Sequence, residues 1–258
     1  VYEIFEDVSN TPASLVGARS AFAVALLRGF CATYRDALQA FLQALFESSP
    51  GVVNLVEIPR DWWPNEWYHD KERTRPRYVR PACPLAYALP GHPKSGNIWE
   101  AHTDGVLLKL KWNRVEAWCG IFVHQDGSVL VLYVDDFMLV ATVANAWKHW
   151  NEIGRQIQFQ DEGAKLVRYL GAIYRFDEYN PEVPNQPRSI ATEMSGYLRN
   201  LVQRFLQDYP GVRLQKVKTP FPVDKDEWKP EDEETCKFAQ DIASYAASGL
   251  FASLVARP

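Results

Sequence analysis

The chain has 258 residues, 47% of them hydrophobic and 23% charged, an ordinary globular composition with enough apolar material for a sizeable core. No apolar run reaches the roughly 18–20 residues of a membrane span, and the acidic start Val1-Tyr2-Glu3-Ile4-Phe5-Glu6-Asp7 is not a signal peptide. The net charge of -4 counts against a dedicated nucleic-acid binder, a class that is often strongly basic. A protein that gathers carboxylates at one centre and lines a channel with basic residues partly escapes that exclusion. The first residue is Val1, not Met, so the sequence reads as an excised fragment.

In chain order, residues 15–30 carry Leu15, Val16, Ala18, Phe22, Val24, Leu26 and Leu27, the pattern of a mostly buried helix. A short strand over Ala32–Arg35 leads into Asp36. Ala37–Phe46 holds strong helix formers and no breaker, which predicts a helix. Val52–Ile58 is strand-like and ends at Pro59. Residues 60–81 are rich in Trp, Pro and Arg and read as a loop. Its basic run, Lys71, Arg73, Arg75, Arg77 and Arg80, is either a solvated surface or a contact for phosphates.

Ser95–Trp112 is predicted helical, capped by Ser95 or Gly96. Trp118–His124 and Val129–Val134 are strands on either side of the turn Gln125-Asp126-Gly127-Ser128. Asp135-Asp136 then interrupts the apolar run, and Phe137–Thr142 resumes it. A helix over Val143–Phe159, a strand over Leu166–Phe176, a loop over Asn180–Pro187 and an amphipathic helix over Ser195–Tyr209 follow. Pro220–Glu234 reads as a linker and Cys236–Val255 as a last helix. Cys31, Cys83, Cys119 and Cys236 have no C-x-x-C spacing and read as small, reduced core residues. His69, His92, His102, His124 and His149 show no zinc-ligand spacing, so no structural zinc site is expected.

The informative break is Tyr133-Val134-Asp135-Asp136. Adjacent carboxylates between apolar strands repel one another, and their flanks raise the cost of desolvation. A divalent cation offsets both, and Mg²⁺ takes carboxylate oxygens. A plain hairpin turn is the other reading, since Asp is common in turns. Asp36, at the end of its own strand, is a candidate partner carboxylate for two-metal phosphoryl transfer, or else a helix N-cap.

Tyr133-Val134-Asp135-Asp136 between apolar strands resembles the catalytic hairpin of reverse transcriptases, and further matches follow in order. Asp36-Ala37-Leu38-Gln39-Ala40-Phe41-Leu42 resembles the D-x-x-x-A-F-L of the copia type (Pseudoviridae) of LTR retrotransposon, and Val56-Glu57-Ile58-Pro59 its M-E-Q-P. Cys83-Pro84-Leu85 and Ala88-Leu89-Pro90-Gly91, with Ser95 and Trp99, resemble C-x-L-x-x-A-L-Y-G-x-x-x-S-x-x-x-W. Tyr169-Leu170-Gly171 looks like F-L-G. Tyr197-Leu198 through Phe205 and Val217-Lys218-Thr219-Pro220 are similar to K-Y-I-x-x-L-L-x-x-F and V-x-T-P. Ser244-Tyr245 to Arg257-Pro258 resembles the segment leading into RNase H. Single motifs are weak; the ordered set, spanning nearly the whole chain, is strong.

The resemblance implies an α+β right-hand polymerase fold of palm, fingers and thumb, with an antiparallel palm sheet carrying the Y-V-D-D hairpin. Residues 1–176 would be fingers and palm without the N-terminal fingers strand. Residues 177–258 would be thumb-like helices and a linker toward an absent RNase H domain. The implied activity is that of an RNA-directed DNA polymerase, from a Pol polyprotein, that uses Mg²⁺ or Mn²⁺, a primed RNA or DNA template and dNTPs. Asp36, Asp135 and Asp136 would be the catalytic, metal-binding triad. Ala37, Phe41, Lys94 and Tyr133 would meet the nucleotide, with Phe41 as the steric gate against a 2′-hydroxyl. Tyr133 and Val134 would underlie the primer terminus, and Gly91–Trp99 would border the incoming nucleotide. Leu166–Phe176 would include the primer grip. Family habit places such enzymes in cytoplasmic virus-like particles and the nucleus.

Three departures bear on activity. Lys94 stands where the family has Gln, Pro90 where it has Tyr, and Arg35 where an apolar residue precedes the first Asp. Lys94, the missing fingers strand and the acidic net charge motivate an alternative expectation: a catalytically inert remnant that binds nucleic acid without extending a primer.

Overall fold

The computed structural model describes Ala13, residues 15–46, 52–177 and 188–214, Phe238, and residues 241–256. The expectations for Val1–Asp7, Asn180–Pro187, Val217–Pro220, Pro220–Glu234, Cys236 and Arg257-Pro258 lie outside them. The chain divides into two compact units, Val1–Leu166 and Val167–Pro258. Both combine helices with antiparallel strands.

The first unit is built on a six-stranded sheet. Its strands are β1 (Phe30–Asp36), β4 (Trp112–Arg114), β5 (Ile121–His124), β6 (Val129–Tyr133), β7 (Asp136–Thr142) and β8 (Ala164–Lys165), in the order β4-β5-β6-β7-β1-β8. Every pairing is antiparallel. Strands β4 to β7 form a meander, and β1, from earlier in the chain, inserts between β7 and β8. A separate ribbon pairs β2 (Leu55–Glu57) with β3 (Ala82–Pro84).

Strand β7 explains why Phe137–Ala141 is apolar without alternation: all five side chains are fully buried. Phe137, Leu139 and Ala141 join one core with Leu130 and Leu132 of β6, Trp99 and Leu107 of α2 (Ser95–Lys109), and Trp150 and Ile153 of α3 (Val143–Gly154). Met138 and Val140 point to the other face, where α1 (Leu15–Ala25) packs on β1, β6 and β7. A strand covered on both faces reads as a continuous hydrophobic run. At roughly 25 cal/mol per Å² of apolar surface, burial of these side chains is the main stabilising term.

Gly120 shows how closely the chain must approach. Its φ is 69°, and a Cβ there would lie 2.6 Å from the Leu132 carbonyl oxygen. The Leu132 N–H donates to the Gly120 carbonyl at 2.8 Å, so the entry to β5 lies directly on β6.

Several sequence expectations are corrected. Ala37–Phe46 is not an α-helix: Gln39 is left-handed (φ 49°), and only Ala40–Gln43 turns, as a 3-10 segment. Backbone pairing wins over propensity here, since Ala37 N–H donates to the Asp135 carbonyl and Leu38 N–H to that of Gln158. Asp36 therefore ends a strand and caps no helix. α1 stops at Ala25, before Gly29 (φ 82°), and β1 begins at Phe30. α2 stops at Lys109 and α3 at Gly154, each short of its expected end, and α2 has no side-chain cap at its start. Among the described cysteines, Cys31 and Cys119 are half-buried and Cys83 is exposed, so none is a fully buried core residue.

The Trp- and Arg-rich loop is ordered around its aromatics. Trp63 meets Trp67 edge-on and Tyr68 at a tilt, and Trp67 meets Tyr78 edge-on. Part of the basic run is spent internally: Arg73 donates to the Trp63 carbonyl, Arg77 to that of Tyr68, and Arg80 pairs with Glu57 at 2.6 Å.

In the second unit, β9 (Arg168–Tyr169), β10 (Ala172–Phe176) and β11 (Ile190–Glu193) form a sheet in the order β11-β10-β9. The single strand expected over Leu166–Phe176 is a hairpin, because Leu170 and Gly171 both take positive φ (46° and 77°), the type I′ pattern. Helices α4 (Ser195–Asp208) and α5 (Ile242–Ala256) pack together, with Phe205, Tyr209, Phe238 and Tyr245 in ring contact. Among the described residues no helix is long and apolar enough to cross a membrane.

Candidate active site

The sheet brings Asp36, Asp135 and Asp136 together. Strands β1 and β7 pair along their whole lengths, from Phe30 opposite Thr142 to Asp36 opposite Asp136. Asp135 occupies the tip of the β6–β7 hairpin, whose two-residue connection is Val134-Asp135. One carboxylate oxygen from each of the three lies within 4.8 Å of the others. Like charges placed opposite one another in a sheet are destabilising, so the register maintains an arrangement that repulsion opposes.

Neighbouring side chains hold each acid. Tyr34 Oη donates to Asp136 Oδ1 at 2.6 Å, and Gln160 Nε2 donates to Asp36 Oδ2 at 2.6 Å. Gln160 N–H also donates to the Asp36 carbonyl, so the segment after α3 is fastened along the end of β1. Asp36 Oδ1 is buried and has no hydrogen-bond partner. A buried, unsatisfied carboxylate oxygen beside two further carboxylates is a donor set suited to a hard cation such as Mg²⁺.

Electrostatics agree with the geometry. Burial, reinforced by the charges of Asp135, Asp136 and Asp161, pushes the Asp36 carboxyl above its ordinary value despite the Gln160 bond. Burial also raises Asp136, with the Asp135 charge adding to it and the Tyr34 hydroxyl opposing. The Tyr34 phenol is raised in turn by burial and by its bond to Asp136. Positive charge delivered to this cluster would oppose each of these upward shifts.

The hairpin tip is strained and braced. Val134 has φ 59°, at the first central position of a two-residue turn where type II′ geometry calls for Gly. A β-branched residue in that region costs on the order of 1–3 kcal/mol and persists only where its surroundings impose it. The brace is Trp99, buried in α2, whose indole N–H donates to the Val134 carbonyl at 2.6 Å. Trp99 also stacks on His102.

No family model, no curated protein and no solved structure matches this chain.

The remaining sequence candidates lie as follows. Ala37 is buried, and its N–H is the bond that ties β1 to the hairpin. Tyr133 flanks the tip, half-buried and opposite Asp136. Phe41 packs against the core from the 3-10 turn. Lys94 immediately precedes α2; its N–H donates to His92 Nδ1, and burial followed by the Lys94 charge lowers the His92 pKa. Tyr34, Gln160 and the bracing role of Trp99 were missed in the sequence. Tyr34 and Gln160 bear on the carboxylates only through pairing and loop closure, which leave no local pattern. Although they lack zinc-type spacing in the sequence, His124 and His149 stand side by side with Asp126.

Proposed function

We propose that the chain is an RNA-directed DNA polymerase domain of the retrotransposon reverse-transcriptase kind, acting at the Asp36, Asp135 and Asp136 cluster. The carrying observation is the register that sets Asp36 opposite Asp136 with Asp135 at the adjoining hairpin tip. The ordered motifs that resemble the copia-type enzymes supply the reaction class. No curated or structural relative contributes to this reading.

In the reaction, a primer 3′-oxygen forms a bond to the α-phosphorus of a dNTP, the α–β phosphoanhydride bond breaks, and pyrophosphate leaves. Asp36, Asp135 and Asp136 would hold Mg²⁺ or Mn²⁺, which would acidify the 3′-hydroxyl and neutralise phosphate charge. The protein's own part is positioning. Tyr34 and Gln160 fix the rotamers of Asp136 and Asp36, each leaving one oxygen of the carboxylate unused by that bond. Trp99 holds the backbone that carries Asp135. Misplacement of such groups by about 1 Å can cost on the order of a hundredfold in rate. Under this reading Tyr133 and Val134 underlie the primer end, and Phe41 meets the sugar of the incoming nucleotide.

The test is primer extension on poly(rA)/oligo(dT) with Mg²⁺ or Mn²⁺, the wild-type chain beside Asp135→Asn. Extension by the wild type alone supports the reading. Extension by both refutes the site. Primer–template binding that weakens with salt, without extension by either, identifies the inert remnant that Lys94 and the acidic net charge suggest.

A further inference from the structure

At the opposite end of β6 from the carboxylate cluster, a second constellation joins the β5–β6 turn to α3. His124 ends β5, Asp126 lies in the turn, and His149 projects from α3. Asp126 Oδ1 is 2.9 Å from His124 Nδ1, and Asp126 Oδ2 is 2.9 Å from His149 Nε2. One donor atom from each residue falls within 4.8 Å of the others. His149 is fully buried, the His124 side chain is 7% exposed, and that of Asp126 is 24% exposed. The Trp112 ring packs on both imidazoles, with centroids 5.3 and 4.8 Å away.

Hydrogen bonding among neutral side chains does not satisfy this arrangement. The His149 ring lies between two carboxylates, Asp126 at Nε2 and Glu152 at 3.7 Å from Nδ1. A neutral imidazole carries one N–H, so either tautomer turns a lone pair toward a carboxylate. Nδ1 is buried and makes no hydrogen bond. His124 Nδ1 meets the same conflict, since it accepts from the Asp126 N–H at 3.4 Å while facing Asp126 Oδ1 at 2.9 Å.

We infer that His124 Nδ1, His149 Nε2 and the Asp126 carboxylate form a binding site for a first-row transition-metal cation of the Zn²⁺ type. Two imidazole nitrogens and a carboxylate are ligands that Zn²⁺ accepts, and three protein ligands leave a fourth position for water. Bonds of about 2.0–2.1 Å set tetrahedral ligands roughly 3.3 Å apart; the two imidazole nitrogens stand 2.9 Å from the two different oxygens of Asp126, and one donor atom from each residue lies within 4.8 Å of the others. With the cation on Nε2, the His149 N–H moves to Nδ1 and points at Glu152, the carboxylate–histidine–metal relay that orients ligating imidazoles. The partly exposed Asp126 gives the entry path. At about 3.3 Å per residue, β6 separates this site from the Asp135 tip by roughly 20 Å, so the two sites bind metal independently. Its role is to clamp the turn to α3 behind the sheet.

The test titrates the tag-free full-length chain with Zn²⁺, read by calorimetry and thermal denaturation, and with Co²⁺, read by visible absorption. Expected are one equivalent that persists in Asp135→Asn, a Tm raised by several degrees and the visible bands of four-coordinate Co²⁺. Asp126→Asn keeps an oxygen for the Ser128 N–H, so the turn survives while Zn²⁺ affinity falls by more than about tenfold. His124→Gln has the same effect, Glu152→Gln a weaker one, and Asp135→Asn none. Lack of stoichiometric Zn²⁺ binding overturns the site. So does binding that Asp126→Asn leaves intact or that Asp135→Asn alone removes. Stabilisation by acidification in place of Zn²⁺ also overturns it, in favour of a protonated histidine pair.

Discussion

Asp36 and Asp136 face each other across β1 and β7 as the final pair of a seven-residue antiparallel register. Both carboxyls are raised by burial, and the sheet allows neither to move away. Groups whose folded-state pKa is raised contribute stability at pH below the unfolded value of about 4, and that contribution is lost as pH rises through the folded pKa. The metal-free protein is therefore penalised at neutral pH by its own cluster.

Asp36→Asn removes one charge and keeps the side chain's shape. It is expected to stabilise the metal-free chain at pH 7 by on the order of 1 kcal/mol, as neutralising a strained functional site commonly does. The gain should shrink toward zero below about pH 4, where the wild-type carboxyl is protonated in both states. Urea denaturation at pH 7 and at pH 3.5, in EDTA, checks both limbs. Primer extension by the same variant should be lost.

Tyr34→Phe tests the bond that opposes the upward shift of Asp136. Without the hydroxyl, burial and the Asp135 charge act unopposed, and the Asp136 carboxyl rises further. If ionised Asp136 is needed for activity, the acid limb of the primer-extension pH profile should move to higher pH. The rate on the high-pH plateau should change much less. An unmoved acid limb would show that Asp136 ionisation does not limit activity.

The sequence carried the central sheet because its signals there are local and redundant. Asp126-Gly127 marks a turn, Gly127 takes φ 84°, and the flanking apolar runs have strand length. Asp135-Asp136 was legible for the same reason, as an interruption of a buried strand. The segment after Asp36 was misread because Ala37, Leu38 and Ala40 favour helix, while backbone bonds to residues far along the chain decide otherwise. Tyr34, Gln160 and the His124–Asp126–His149 cluster were invisible because their meaning lies in pairings between distant segments. Trp99 was visible only as one position of a motif; its bond to Val134 was not.

Trp99→Phe keeps the ring in the core and deletes the indole N–H. The Val134 carbonyl then loses the donor that braces the tip. A neutral hydrogen bond is worth about 1 kcal/mol net, and stability should fall by roughly that amount. The larger effect is expected on kcat, about tenfold, since the loosened backbone carries Asp135. KM for dNTP should change little. Stopped-flow nucleotide addition separates the two, and a pure KM effect would contradict the bracing role.

Val134→Gly probes the strain itself. At φ 59° a glycine fits without the penalty that a β-branched side chain suffers, which favours the variant by on the order of 1–3 kcal/mol. Against this, glycine loses more chain entropy on folding, about 0.5–1 kcal/mol, and gives up the half-buried valine methyls. The sum is a variant as stable as the wild type or slightly more so. Activity should move the other way, because a relaxed tip no longer fixes Asp135 against Asp36 and Asp136. Thermal denaturation and primer extension on the same preparation decide it. Full activity at higher stability would mean that the valine is a packing residue with no part in holding the carboxylates; loss of activity without loss of stability would locate the strain's purpose in the site.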